Sequence, residues 1–373
     1  MKIIIDYQPL IHECVHLQGA EFIIKCIEQL TKKMKDTEWL FILDKRYVND
    51  EALKEIPSQN ILYRKVIPNR LGWKLWYDYR LPSLLKKEKA DLLLTTAGIA
   101  SSSPICQCVC AIGLNENNHS KKAKIYSDLF EKRAQKTTDR AKKIFISSEK
   151  AKHFFIKKNA EQEGKLILLR PASDEIFEPL LWGEKESIKT KYAAGIEYFF
   201  VIIDDLQADI INILKAFSIF KKKQHSNMQL VLAGNRLKND FRFLEKLETY
   251  KYKNDVHVHD ELDEDEMRKL ISAAYALVHP FKEDETGMIM LNAFRANVPV
   301  IISKKGNLAE IADDAALYAD ADDIETLANH LINLFKDEKL RSRQIEKGDM
   351  QWKKFSWEKT STELRNAIEK AIK

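Results

Sequence analysis

The sequence predicts an α/β chain built as two Rossmann-like halves, each with a parallel sheet between helices. Three observations lead there. Short apolar, β-branched runs recur without polar alternation, the pattern of strands covered on both faces. Longer stretches of helical period separate them, which is the alternation of βα units. Near the middle of the 373 residues, LLRPASDEIFEPLLWGEKES (168–187) breaks both periods with Pro171 and Pro179, so no strand or long helix is expected there. Domains of about 100–200 residues each fit the length. The expected division is 1–178, 179–350, and a final helical segment, 351–373, free to pack back on the first domain.

In the first half the strands read KIIID (2–6), WLFILD (39–44), ILYRKV (61–66), DLLLTT (91–96), CVCAIG (108–113) and KIFISS (143–148). Between the third and fourth lies LGWKLWYDYRLP, where Trp73, Trp76, Tyr77 and Tyr79 at spacings of three and four suit the buried face of one helix. The competing reading of that set is an acceptor-facing or membrane-facing patch.

Cys106, Cys108 and Cys110 alternate along one strand, which places their sulfurs on one face. C-x2-C pairs and His partners are missing from this stretch, and residues two apart on one strand make poor disulfides. Buried, reduced thiols are expected, as in a reducing cytoplasm.

In the second half the strands are YFFVIID (198–204), MQLVLAG (228–234), VHV (256–258), YALVHP (275–280) and VPVIIS (298–303), with a further small strand in DDAALYADADD. Asp263 and Glu266 form a capping-box pair that predicts a helix over 264–274. Another helix is expected to be capped near Asp322. Ser356 reads as the N-cap of a last helix with Trp357, Leu364, Ala367, Ile368 and Ala371 along one stripe.

Sixty-one basic and 56 acidic residues leave a net charge of +5, too small an excess to indicate nucleic acid. The charge is uneven, with thirteen Lys/Arg against four acids between His119 and Lys158. That stretch reads as a solvated helix surface or as a contact for anionic headgroups. No export signal follows MKIIID, and runs such as YFFVII are far shorter than the ~20 residues that span a bilayer. The expected setting is cytoplasmic, peripheral at the inner membrane face if the basic stretch engages lipid.

From Val256 to about Thr360 the features fall in an ordered series: SAAYALVHP, an acidic loop with a Gly, LNAFRANVPVIIS, GNLAEI, DAALYADADDIETLANHL and FSWEKT. This series resembles the C-terminal domain of the family 4 glycosyltransferases, also called glycosyl transferases group 1. Their A-D-x-x-x-x-P, E-G-F-G, E-A-x-A-x-G-x-P-V-I, G-x-x-x-E, D-P-D-D and F-S-W segments run in the same order. RLPSLLKKEKADLLLTT and AKKIFISSEKAKHFFIK look like segments of the family's first domain. The resemblance implies the GT-B fold, two Rossmann-like domains facing across a cleft. It also implies retaining transfer of a sugar from a nucleotide sugar to a glycan or lipid-linked acceptor, with no metal or other cofactor.

Matched position by position, the resemblance also shows departures. The Arg-Lys pair that grips the donor diphosphate falls at Gln207 and Ala208, after Asp204 and Asp205, where phosphate would meet negative charge. The His-Asp at the end of a first-domain strand falls at Ile112 and Gly113, with Asn115 and His119 the nearest polar groups. The two Glu that hold the donor sugar and the ribose fall at Asp284 and Asn292, and a neutral Asn can bond a hydroxyl without supplying charge. His279, Lys282, Glu285 and Gly287 complete the donor-side candidates, with Arg236 and Lys282 as replacement cations. A solvated acidic loop is the alternative for 279–285. The 11 glycines amount to about 3% against an average of about 7%, and the first domain's glycine cluster is reduced to Gly19. Three functional readings follow: an active glycosyltransferase with a departed site, a degenerate transferase fold serving as partner or scaffold of an active enzyme, or a peripheral membrane-binding protein.

Overall fold

The computed structural model describes residues 1–14, 17–46, 60–114, 121–158, 160–203, 210–234, 237–260, 262–281, 284, 286–305 and 307–373. The chain forms two compact units, one of Met1–Pro171 with Ser356–Lys373, the other of Ala172–Phe355.

The first unit carries a seven-stranded sheet in the order β3-β2-β1-β4-β5-β6-β7. Its strands are β1 Lys2–Asp6, β2 Glu38–Leu43, β3 Ile61–Tyr63, β4 Leu92–Thr95, β5 Cys106–Cys110, β6 Lys143–Ile146 and β7 Leu166–Leu168. Every pairing is parallel, with Ile4 opposite Leu40 on one side and Leu93 on the other. Ile3, Ile4 and Ile5 are all fully buried, because helices cover both faces and leave no side of this strand to water. β7 has no counterpart among the apolar runs read from the sequence. It is a three-residue edge strand, only half buried, so its pattern is weak.

The second unit carries a six-stranded parallel sheet in the order β10-β9-β8-β11-β12-β13. The strands are β8 Tyr198–Ile203, β9 Gln229–Gly234, β10 Val256–His259, β11 Ala276–His279, β12 Val300–Ile302 and β13 Leu317–Tyr318. Along β8, Tyr198, Phe200 and Ile202 enter one apolar cluster with Leu277, Leu291 and Ile302. Phe199, Val201 and Ile203 enter another with Phe217, Phe220 and Leu331 on the opposite face. Period-two geometry turns one continuous apolar run into two separate cores.

Helix ends follow local chemistry. Asp263 Oδ1 accepts from Glu266 N–H at 2.8 Å while Glu266 reaches back to Asp263 N–H, so the helix Glu264–Ala273 starts on a complete capping box. The cap expected near Asp322 is Asp323 instead, whose Oδ1 accepts from Thr326 N–H at 3.1 Å. The 168–187 stretch, expected to be irregular, yields a helix from Trp182 to Tyr192, because Pro179 lies before its start and Glu184 caps Leu181 N–H.

Ser356 accepts from Lys359 N–H and caps the last helix, Trp357–Ile372, which packs on the helix Leu17–Lys33 of the first unit. Trp357 lies 5.7 Å from Phe22, ring centre to ring centre, and Leu364 and Ile368 are buried. Lys33 closes the contact with Glu358 and Thr362.

Trp73, Trp76 and Tyr77 are buried, but Tyr79 is 67% exposed, which corrects its expected place on the buried face. The helix that carries them runs Arg70–Leu75, widens into a π-turn at Trp76–Arg80, and resumes at Leu81–Lys87. The π-turn brings both Trp76 and Tyr77 inward and leaves Tyr79 on the outer side.

None of the five cysteines is joined in a disulfide among the described residues. Burial pushes the Cys108 thiol well up and Cys110 up to about 12, so both stay protonated and inert.

Candidate functional site

Ligands in open α/β sheets bind beyond the carboxyl ends of the strands. In the second unit β11 ends on His279, and the chain returns to the sheet edge through Asp284 and Gly287 before the helix Met288–Arg295. His279 and Asp284 are both buried, with Nε2 of the imidazole 3.5 Å from Oδ2 of the carboxylate. Phe281 packs edge-on against the imidazole at 5.3 Å.

Asp284 Oδ1 accepts from the N–H groups of Thr286 and Gly287, each at 2.8 Å, and from the Thr286 hydroxyl at 3.3 Å. Burial pushes this carboxyl up. The His279 imidazole and the two N–H groups outweigh burial, and its pKa ends below the usual carboxylate range. Among the described residues, Oδ2 and both imidazole nitrogens accept or donate no hydrogen bond. The expectation of a solvated loop fails at these two side chains, which are inside the unit.

Gly287 has φ +73°, and a Cβ there would approach Ile311 Cδ1 to 2.9 Å. The left-handed turn is what lets the chain reverse from loop to helix within three residues of Asp284.

Asn292 lies in the middle of that helix, half buried. Its Oδ1 accepts from Asp174 N–H at 2.9 Å, so its amide oxygen secures the first residues of the second unit. Gln207, Ala208, Arg236, Lys282 and Glu285 lie outside the described residues, as do Asp204, Asp205, Asn115 and His119.

In the first unit Ile112 and Gly113 follow β5, Ile112 buried and Gly113 at φ +70°. Two carboxylates at the same edge escaped the sequence reading, although each ends a strand run. Asp6, at the end of β1, is fully buried and accepts from Trp76 Nε1–H at 3.0 Å. Burial raises it to about 7, against the lowering effect of that indole.

Asp44 follows β2 and accepts from Val66 N–H and the Arg46 guanidinium. Burial raises this carboxyl too, but those donors prevail and hold it at about 2. The signal was present in KIIID and WLFILD, whose terminal Asp breaks an otherwise apolar run.

The basic stretch 119–158 is partly internal. Buried Arg133 makes two hydrogen bonds to Asp78, and Lys136 a third. Among the described residues no three His, Cys, Asp or Glu side chains are grouped to hold a metal ion, and no helix is long and apolar enough to cross a membrane.

Residues 188–351 match the family described as Glycosyl transferases group 1. The O-antigen chain mannosyltransferase B of Escherichia coli is 24% identical over 311 residues, covering 82% of this chain and 78% of that one. A glycosyltransferase from Rickettsia africae superposes with a TM-score of 0.76 over 100% of this chain and 98% of its own, at 15% identity. Anabaena HepE, solved in complex with UDP-glucose, superposes with a TM-score of 0.70 over 99% and 100% at 12% identity. With two parallel-sheet units and end-to-end likeness to solved glycosyltransferases, the chain has the GT-B fold, and its segment 188–351, which contains the His279–Asp284 edge, matches the Glycosyl transferases group 1 family.

Proposed function

We propose that this chain transfers a sugar from a nucleotide sugar to a glycan or lipid-linked acceptor, with retention at the anomeric carbon. The observation that carries the reading is Asp284, an ionised carboxylate held against His279 at the carboxyl end of β11, at the position where the resemblance places a sugar-binding Glu. Its anchored Oδ1 fixes the side chain, and Oδ2 is the oxygen left to accept a sugar hydroxyl.

In the transfer, the bond from the anomeric carbon to the diphosphate oxygen breaks. The acceptor oxygen bonds to the same face of that carbon, and the acceptor proton passes to the departing diphosphate. Cations or aimed amides must stabilise that leaving group. The positions matched to the family's cations are Gln207 and Ala208, with Arg236 and Lys282 as candidate replacements. The likeness to an O-antigen chain mannosyltransferase supports a hexose donor and an O-antigen-like glycan acceptor; HepE supports a nucleoside diphosphate sugar.

A second reading is favoured by Asn292, whose amide oxygen already accepts from Asp174 N–H and therefore serves the fold. A degenerate transferase acting as partner of an active enzyme would tolerate that. Calorimetry with GDP-mannose and UDP-glucose separates the two. Micromolar binding, weakened about tenfold in an Asp284→Asn variant that circular dichroism shows to be folded, supports the enzyme. No heat from either donor in folded protein supports the degenerate reading.

A further inference from the structure

Two exposed apolar faces of opposite charge lie on this chain, one in each unit. In the second unit the span 174–184 leaves Ile176 44%, Leu181 76% and Trp182 79% exposed. The same span carries Asp174, Glu175, Glu178 and Glu184 and no Lys or Arg. Glu175, Glu178 and Glu184 are exposed, and among the described residues none of them pairs with a cation.

The face in the first unit is basic. Leu71, Leu75 and Tyr79 are 65%, 37% and 67% exposed on the outer side of the helix that buries Trp73, Trp76 and Tyr77. Lys65, Arg70, Lys74 and Arg80 flank them in sequence and are exposed, and among the described residues none of the four pairs with a carboxylate. Asp78, the one acid of the span 64–80, is turned toward Arg133 and Lys136, so it does not offset them.

Large apolar side chains grouped on a surface mark a contact, and Trp, Tyr and Arg are the side chains that most often carry its energy. The charges select the partner. Either face laid on its own copy would oppose like charges, which costs free energy. Laid on each other, the two faces set the acids of one against the cations of the other and enclose the apolar side chains.

We infer that this chain associates head to tail, the acidic face around Trp182 of one copy taking the basic helix face of Leu71, Leu75 and Tyr79 of a second copy. The contact is heterologous, so a pair keeps one face of each sign free and association continues as concentration rises. It holds whether or not the chain transfers sugar.

Sedimentation velocity of the full chain at low salt, followed over a wide concentration range, tests this. The weight-average sedimentation coefficient should rise with concentration and fall back toward the monomer value in high salt. Leu181→Ser/Trp182→Ser and, separately, Leu71→Ser/Leu75→Ser should each weaken association at least about tenfold. These side chains are exposed, so the fold should hold, with the melting temperature as control. Glu175→Lys/Glu178→Lys and Arg70→Glu/Lys74→Glu should each abolish association alone, because both faces of either variant then carry one sign. An equimolar mixture of the two charge variants should recover it to within about threefold of wild type, since each offers the sign that the other lacks. A monomer at every concentration overturns the inference. So does association that survives either serine variant, or that the mixture of charge variants fails to restore.

Discussion

Asn292 Oδ1 accepts from the backbone N–H of Asp174, 2.9 Å away. One side chain thus ties the helix Met288–Arg295 to the opening residues of the second unit. The position that the resemblance assigns to a ribose-binding carboxylate does structural work here, and an amide suits that work because it needs an acceptor rather than a charge. Asn292→Ala should cost about 1 kcal/mol, since a part-buried donor loses its acceptor. Urea unfolding followed by circular dichroism measures this; a change below a few tenths would refute the role.

The Asp284 carboxyl titrates below its ordinary range in the folded state. A depressed carboxyl contributes stability above its unfolded pKa, about 3.9, and that contribution is lost as pH falls through the folded value. Asp284→Asn keeps an acceptor for Thr286 and Gly287 but has no proton to gain. The variant should therefore show a flatter loss of stability below pH 4 than wild type in acid-unfolding curves.

Asp6 gives the opposite sign. Its folded pKa is raised to about 7, so the native chain keeps a proton that the unfolded chain releases near 3.9. Its stabilising contribution is full below about pH 4 and declines as pH rises toward 7, with a slope of up to about 1.4 kcal/mol per pH unit. Asp6→Asn retains an acceptor for Trp76 Nε1–H and should remove that decline. Denaturant midpoints at pH 5 and pH 8 for both proteins decide the matter.

Asp78 gathers Arg133, Lys136 and the Ser102 hydroxyl. The Arg133 hydrogen bonds hold its carboxyl well below the usual range even though burial raises it. Asp78→Ala would leave the buried Arg133 guanidinium without its carboxylate, at a cost of about 3 kcal/mol. Asp78→Ala/Arg133→Met should recover part of this in thermal unfolding, because no buried charge then remains unpaired. Equal stability of the single and double variants would count against the pairing.

For the donor, the double change Gln207→Arg/Ala208→Lys restores two cations at the matched diphosphate positions. Affinity for a UDP- or GDP-sugar should rise about tenfold or more by calorimetry, as expected for cations placed against a diphosphate. An unchanged affinity with the fold intact would refute that placement.

Much of this molecule was legible in advance. KIIID, YFFVIID and the other apolar runs are strands because a chain covered on both faces has no polar side to display, and that requirement is written locally. Asp263 with Glu266, and Ser356, cap helices within four residues of themselves, so their roles could be read from spacing. The ordered series from Val256 to Thr360 carried the family resemblance for the same reason, as a succession of local signals. What distance in sequence hides was decided only by packing. Asn292 meets Asp174, His279 meets Asp284 inside rather than in solvent, Asp78 claims Arg133 and Lys136 from the basic stretch, and a π-turn rotates Tyr79 outward. Each depends on which side of a helix or sheet edge the rest of the chain covers, and a burial free energy or a hydrogen bond between distant residues leaves no periodicity to detect.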